Sequence, residues 1–290
     1  MKAIREKQKR TVGEKILYTV FFVIFVIEAV SILSIFVWMF INALKGWDEY
    51  ELDPTFNLPV KPLFTNYIQA FKELNDGETS FFGLIFNSLW YTVISAGLGA
   101  IMPAFTGYIL SKYNFKLKQF IFTVAVTSMM IPIVGNTASY LKLIGDLELY
   151  NTPFYVIVTS LGGFGGSFLV YYGFFKNISW SYAEAVMIDG GDDYTILFKI
   201  MLPQAAPIIL TYFITGAIAA WNDYETMILY TPALPTLASG LYSFQANIMR
   251  DLNYPVYISG LIISMIPTIT LFAIFANRIM TSISIGGLKG

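Results

Sequence analysis

The chain has 290 residues, of which 56% are hydrophobic, 17% aromatic and only 13% charged, with a formal net charge of -1 and a mean hydropathy of +0.62. That balance lies far from a soluble average and marks an integral membrane protein, while near-neutrality excludes nucleic acid as a partner because few phosphate counterions would be released. The absence of Cys and His excludes disulfides, thiolate chemistry, imidazole metal sites and histidine-based triads.

Residues 1–15 form a basic arm, with Lys2, Arg5, Lys7, Lys9, Arg10 and Lys15 set against Glu6 and Glu14. The apolar run over 16–44 is too long for a signal-peptide core and lacks a small-residue cleavage site, so it is expected as the first span. A helix of that length measures roughly 44 Å against a ~30 Å hydrocarbon core, which implies tilt or protrusion. Glu28 sits near its middle, where an ionisable group costs at least ~2.5 kcal/mol. It reads either as a polar group on a pathway or as a neutral or hydrogen-bonded glutamate at a helix interface.

The polar segment 45–83, with Asp48, Glu49, Glu51, Asp53 and three prolines, belongs outside. Within it, PLFTNYIQAFKEL reads as a short interfacial helix with Ile68, Phe71 and Leu74 as its apolar residues. The second span, about 84–110, carries Asn87, Gly97, Gly99, Pro103 and Gly107, and its small residues favour close helix packing. A basic turn (Lys112, Lys116, Lys118) leads to a third span over 120–141, with Pro132 expected as a kink inside it. After a polar turn comes a fourth span over 154–175, containing Gly162, Gly163, Gly165 and Gly166.

The next stretch, Ser181 to Pro207, is polar, broken by glycine and bracketed by apolar runs. Ser181 and Glu184 stand in the S-x-x-E relation of a capping box, which predicts a short helix starting near Ser181. Gly190 supplies positive φ at its end and Gly191 widens the break. Asp192 or Asp193 is expected to cap a second helix carrying Ile196, Leu197, Ile200 and Met201, which Pro203 should close. A fifth span over 206–230 holds Trp221, Asn222, Asp223, Tyr224 and Glu225. An external loop over 231–254, a sixth span over 255–276 and a tail over 277–290 complete the chain.

Orientation follows from the basic residues, which favour the cytoplasmic side. With six spans starting inside, the outer segments hold only Lys45, Lys61, Lys72, Lys142 and Arg250 of the 18 Lys and Arg. Both termini and the Ser181–Pro207 stretch are therefore expected in the cytoplasm. No G-x-x-x-x-G-K-[ST] phosphate loop occurs, so a P-loop nucleotide site is not expected here.

In the cytoplasmic stretch, Glu184-Ala185-Val186, Asp189-Gly190 and Ile200-Met201-Leu202-Pro203 resemble the E-A-A segment, obligatory glycine and terminal I-x-L-P of the membrane-spanning subunits of binding-protein-dependent ABC importers. Val186 replaces the second alanine, Gly191 a usual alanine, and Ser179 stands where carbohydrate members often have proline. Further matches are Asn66-Tyr67, Asn87-Ser88, the Trp221-Asn222-Asp223 element and the terminal Gly286-Gly287-Leu288-Lys289-Gly290, which is similar to the end of maltose-type carbohydrate permeases. The resemblance covers roughly residues 62–290.

The resemblance implies an all-α, six-span transmembrane domain of a type I ABC importer in a bacterial cytoplasmic membrane, carrying a sugar or oligosaccharide. It implies that segment 177–205 couples to an ATPase through Glu184, Ala185, Asp189, Gly190, Ile200, Leu202 and Pro203. The tail residues Gly286, Gly287, Lys289 and Gly290 would reach the same partner. Implied partners are a second permease chain, expected to differ from this one, two ATPase subunits holding ATP and Mg2+, an external solute-binding protein and the lipid bilayer. No catalytic residue, metal or cofactor is expected in this chain. Asn222, Tyr224 and Glu225 offer the donors, acceptors and aromatic surface a sugar needs, although Trp221 and Tyr224 also read as interface-belt aromatics. The alternatives are an importer of a non-sugar solute and an ion-coupled secondary transporter resting on Glu28, Asp223 and Glu225.

Overall fold

A computed structural model of the chain describes residues 11–132, 134–251 and 253–286, and its regular elements are all helical. The chain divides into two compact units, one running to Lys72 and resumed over Asn247–Ile263, the other covering Glu73–Ala246 and the chain from Ser264 onward. Among the described residues, four stretches are long and apolar enough to cross a membrane: Val12–Ala43, Phe81–Lys112, Asp193–Trp221 and Tyr254–Leu271.

The first unit opens with α1 (Val12–Ala43), which starts at a full capping box: Thr11 Oγ1 accepts from the Glu14 amide at 3.3 Å and the Glu14 carboxylate accepts from the Thr11 amide at 2.8 Å. The T-V-G-E sequence carries that signal, and the helix starts four residues earlier than expected. Every side chain from Val12 to Leu33 is exposed, Glu28 among them. The far end is buried and tied down. Asn66, in α3 (Thr65–Glu73) beyond the short α2 (Trp47–Leu52), donates to the carbonyls of Ala43 at 2.8 Å and Lys45 at 2.9 Å. These are carbonyls a helix terminus leaves without partners. Lys45, 1% exposed, donates from Nζ to the carbonyls of Asp53 and Thr55. The α3 face is thereby corrected. Asn66, Ala70 and the following Leu74 are buried, whereas Ile68 and Phe71 are exposed, because the two Asn66 bonds fix the rotation of the helix.

The second unit begins with α4 (Phe81–Lys112), α5 (Lys118–Met130), α6 (Thr137–Asp146), α7 (Pro153–Ser160), α8 (Gly166–Asn177), α9 (Ser181–Ile188) and α10 (Asp193–Thr195). A π turn (Ile196–Met201) leads into α11 (Leu202–Trp221), followed by α12 (Glu225–Tyr230), α13 (Leu237–Asp251) and α14 (Tyr254–Gly286). The last two continue through the first unit's share of the chain.

The central element is α4, against which α7, α8 and α11 pack. Its buried side chains Leu84, Ser88, Tyr91, Ala96, Ala100, Ala104 and Tyr108 recur at helical spacing. Small residues set the approach: a Cβ on Gly107 would lie 2.8 Å from Tyr171 Cβ and 2.9 Å from the Tyr172 amide, and one on Gly216 would meet Ala96 at 3.5 Å. Close backbone contact of this kind replaces the hydrophobic driving force that lipid does not supply.

Several expected spans are not single helices. The helix expected over 120–141 stops at Met130, because Pro132 ends it instead of bending it, and α6 begins only at Thr137. The 13 residues of α5 reach about 20 Å, short of a ~30 Å core. The run over 154–175 divides into α7 and α8 across Gly162–Gly165, and Gly165 adopts φ +149°. Thr106 Oγ1 donates to the Gly163 carbonyl, supplying a partner that the broken helix lacks. The fifth stretch breaks at Asn222–Tyr224 between α11 and α12, and the sixth continues as one helix to Gly286, including the start of the expected tail.

In place of an irregular loop over 231–254 stands α13. Thr236 and Ser239 exchange amide-to-hydroxyl bonds at its start, and Ser88 Oγ accepts from the Leu237 amide at 2.8 Å. Asn87 Nδ2 donates to the Pro235 carbonyl at 2.8 Å. The Asn87-Ser88 pair thus fastens this segment to α4.

Candidate functional site

The Ser181–Pro207 stretch is built as two short helices in fixed relation. Ser181 is already the first helical residue of α9, and the amides of Ala183 and Glu184 bond to the Trp180 carbonyl at 2.8 and 3.1 Å. The expected Ser181–Glu184 capping box therefore does not form. Ser179 Oγ instead accepts from the Ser181 amide at 3.3 Å and lies 2.8 Å from Ser181 Oγ. At the other end the expectation holds: Gly190 takes φ +79°, its amide bonds to the Met187 carbonyl at 3.1 Å, and the Gly191 amide bonds to Val186 at 2.8 Å. These two bonds make a Schellman motif. Asp192 caps α10 by accepting from the Thr195 amide at 2.8 Å, which holds its carboxyl below the usual carboxylate range.

Pro203 does not close the second helix. The π turn widens the backbone just before it, with the Leu202 amide bonding five residues back to Leu197, and this leaves room for the proline ring, which has no amide to donate. One continuous rod from Asp193 to Trp221 results, joining this stretch directly to a helix long and apolar enough to cross a membrane.

The stretch is moored to α4. Tyr113 donates to Asp193 at 2.9 Å and lies 3.2 Å from the Tyr108 hydroxyl, its ring packs edge-on against Trp180 at 6.0 Å, and Lys112 Nζ donates to the Ile178 carbonyl. Burial first, then the bonds to Tyr108 and Asp193, push the Tyr113 hydroxyl well above its ordinary pKa. Beneath lies a cluster of Tyr108, Tyr171, Phe175, Ala183, Ile196 and Met201. Of the residues expected to couple, Glu184, Ala185, Asp189, Gly190 and Pro203 are exposed, whereas Ile200 and Leu202 are half-buried. The inward-facing alanine is Ala183, which is fully buried. Exposed apolar side chains on the same stretch include Ile188 at 85% and Tyr194 at 73% exposure. Gly286 ends α14; Gly287, Lys289 and Gly290 lie outside the described residues, as does most of the basic arm.

A second feature lies between α4 and α11, a cavity of about 490 Å3 whose polar lining is Tyr91, Ser95, Tyr212, Thr215 and Asp223, with Ala and Gly completing the wall. Asp223 is held from two sides, accepting from Tyr91 Oη at 2.8 Å and from the Thr226 amide at 3.0 Å. The three expected pathway residues do not line this cavity. Asn222 turns back to donate to the Ile218 carbonyl at 2.8 Å, Tyr224 stacks on Tyr242 at 5.0 Å with an 11° interplanar angle, and Glu225 is exposed. The break after Trp221 changes the helical register, so Asp223 alone of the 222–225 segment reaches the cavity. The W-N-D element carried that signal, whereas Tyr91 and Tyr242 gave none. Among the described residues no three acidic side chains converge as a metal site would.

Residues 99–284 match the family model described as "Binding-protein-dependent transport system inner membrane component". The chain is similar to the sulfoquinovosyl glycerol transport system permease protein SmoH of Agrobacterium fabrum, at 27% identity over 88% of each chain. It is 24% identical to the diacetylchitobiose uptake system permease protein NgcG of Streptomyces coelicolor, over 91% of this chain and 86% of that one. It is 28% identical to the arabinooligosaccharides transport system permease protein AraQ of Halalkalibacterium halodurans, over 78% and 79%. Among solved structures, a chain of a bacterial ABC transporter involved in import of the acidic polysaccharide alginate shares the fold with a TM-score of 0.70 at 22% identity, covering 93% of this chain and 99% of that one.

Proposed function

The chain belongs to the binding-protein-dependent transport system inner membrane components, a family of multi-pass membrane subunits of ABC importers, and from that premise we propose that it is the saccharide-carrying permease half of an ATP-driven importer. The cargo class rests on relatives whose names specify sulfoquinovosyl glycerol, diacetylchitobiose and arabinooligosaccharides. The chain works with a second, different permease, two ATPase subunits that hold ATP and Mg2+, and an external solute-binding protein. It crosses the cytoplasmic membrane six times, the broken helices supplying the third and fourth crossings, with both termini inside.

The observation that carries the coupling role is the moored stretch itself. Two short helices fixed by a Schellman motif present Glu184, Ala185, Asp189 and Gly190 outward beside exposed Ile188 and Tyr194. Ile200, Leu202 and Pro203 lie where the same stretch enters the α11 rod. An ATPase docked there would push on Asp193–Trp221 as one body, and movement of α11 against α4 would open or close the pathway between them. Gly286, Gly287, Lys289 and Gly290 form a second contact with the ATPase.

Co-purification of the ATPase tests this. The wild-type chain retains the partner, and Glu184→Lys or Gly190→Asp loses it while the purified chain keeps its helical circular dichroism. Retention in both variants, or solute uptake by the chain alone along an ion gradient, would overturn the reading.

A further inference from the structure

The cavity between α4 and α11 carries information about the cargo that the family does not supply. Its volume, about 490 Å3, falls within the roughly 300–1,000 Å3 of small-molecule sites. Asp223 is the one charged side chain among its lining residues, and no Lys or Arg joins it.

The hydrogen-bond inventory is directional. A carboxylate offers about four lone-pair sites and no proton. Two sites on Asp223 are taken by Tyr91 Oη and the Thr226 amide, which leaves about two facing the cavity. Thr215 donates to the Thr211 carbonyl at 3.0 Å, so its hydroxyl presents lone pairs, and Ser95 and Tyr212 can accept as well as donate. A carboxylate with free lone pairs set among hydroxyls suits a ligand that arrives with protons to give.

We propose that this chain contacts its saccharide at the Tyr91–Asp223 cavity and selects neutral sugars, whose hydroxyls donate to Asp223 and its neighbours, over acidic ones. A uronate or sulfonate brings acceptor oxygens and a second negative charge to a place with no compensating cation. Like charges about 5 Å apart in a partly screened protein site weaken binding on the order of tenfold or more. The inference rests on the saccharide-permease reading and deepens it by naming a charge class.

The test uses the two permease chains purified together in nanodiscs, with methyl glucoside and glucuronate as probes and saturation-transfer NMR as the readout. Methyl glucoside is expected to bind at least about tenfold more tightly than glucuronate. Asp223→Asn removes the charge and keeps one of the two acceptor oxygens, which can serve the Thr226 amide while Nδ2 donates to Tyr91 Oη, so the melting temperature should change little and the preference should shrink by a similar factor. A purely structural role for Asp223 would leave the preference unchanged in Asp223→Asn, and that result overturns the proposal. So does equal binding of both probes by the wild-type pair, a comparison that needs no variant. Binding of neither probe, with ATP-driven uptake of a neutral oligosaccharide intact, overturns it too by placing the sugar contact elsewhere. Failure of the full complex to take up any saccharide, neutral or acidic, would instead remove the parent reading.

Discussion

Tyr113, the first residue beyond α4, donates its hydroxyl to Asp193, the first residue of α10, at 2.9 Å and across 80 residues of sequence. This bond joins the central membrane helix to the stretch proposed to meet the ATPase. Tyr113→Phe keeps the ring against Trp180 and removes only the hydroxyl, so the loss should be about 1 kcal/mol for a partly exposed bond to a charged group. The expected outcome is ATP hydrolysis that continues while uptake per ATP falls several-fold. Parallel measurement of both rates in proteoliposomes checks it, and equal decline of the two would show that the bond serves assembly and not transmission.

The pH behaviour of the same stretch has a definite sign at each end. Burial and its two bonds raise the Tyr113 pKa in the fold, so its contribution is complete below the unfolded value of about 10 and is lost only as pH rises through the higher folded value. Asp192 is shifted the other way, first by the Thr195 amide. Its contribution is present above about 3.9 and fades as pH falls through the lower folded value. Amide exchange over residues 193–201, corrected for intrinsic rates, should therefore show constant protection from about pH 5 to pH 9. Asp192→Ala should raise exchange there at neutral pH, and Asp192→Asn, which still accepts from Thr195, should not.

The two glycines after α9 have separable roles. Gly190 sits at φ +79° with open space around its Cβ position, whereas a Cβ on Gly191 would collide with Val186 Cγ1 and lie 3.0 Å from the Val186 carbonyl. Gly190→Ala should cost about 1–2 kcal/mol of local backbone strain, and Gly190→Asn less, since Asn tolerates that conformation. Gly191→Ala must displace Val186 from its packing against the buried cluster, so it should loosen α9 with no rescue by Asn. Exchange protection of Val186 to Asp189 in the three variants checks the ranking.

How much of this was legible in the sequence depended on whether local chemistry decided the outcome. The Gly190 turn, the Asp192 cap and the continuous α4 followed from neighbouring residues, and the structure forms all three. The Ser181–Glu184 box failed because Ser179, two residues upstream, engages Ser181 and the helix begins at Ser181 itself. Gly162, Gly163, Gly165 and Gly166 are expected inside one continuous span, yet they break it, since Thr106 of a distant helix satisfies the freed Gly163 carbonyl. Asn222, Tyr224 and Glu225 are expected on one continuous helix over 206–230; the break after Trp221 separates them, and Asp223 alone of that segment lines the cavity. Tyr91, which completes the pair, is 132 residues away, and no local pattern announces it.

Tyr171 closes the packing between α4 and α8, and its hydroxyl has no hydrogen-bond partner among the described residues although the residue is fully buried. Gly107 creates the situation: without a Cβ it lets the α4 backbone approach Tyr171 and Tyr172 directly, and the ring of Tyr212 covers the same side at 5.5 Å. A buried hydroxyl without a partner costs about 1–3 kcal/mol relative to one left in water. Tyr171→Phe removes that cost and keeps the ring contacts, so it should stabilise the chain by about 1 kcal/mol and raise the melting temperature in detergent by about 2–4 °C. Transport then discriminates between two roles for the orphan group. If the hydroxyl is idle throughout the cycle, uptake in Tyr171→Phe stays at the wild-type rate. If movement of α11 against α4 gives it a partner in another state, the variant is more stable yet slower, because only the present conformation has been favoured. A lower melting temperature would show that the hydroxyl already has a partner and that its burial costs nothing.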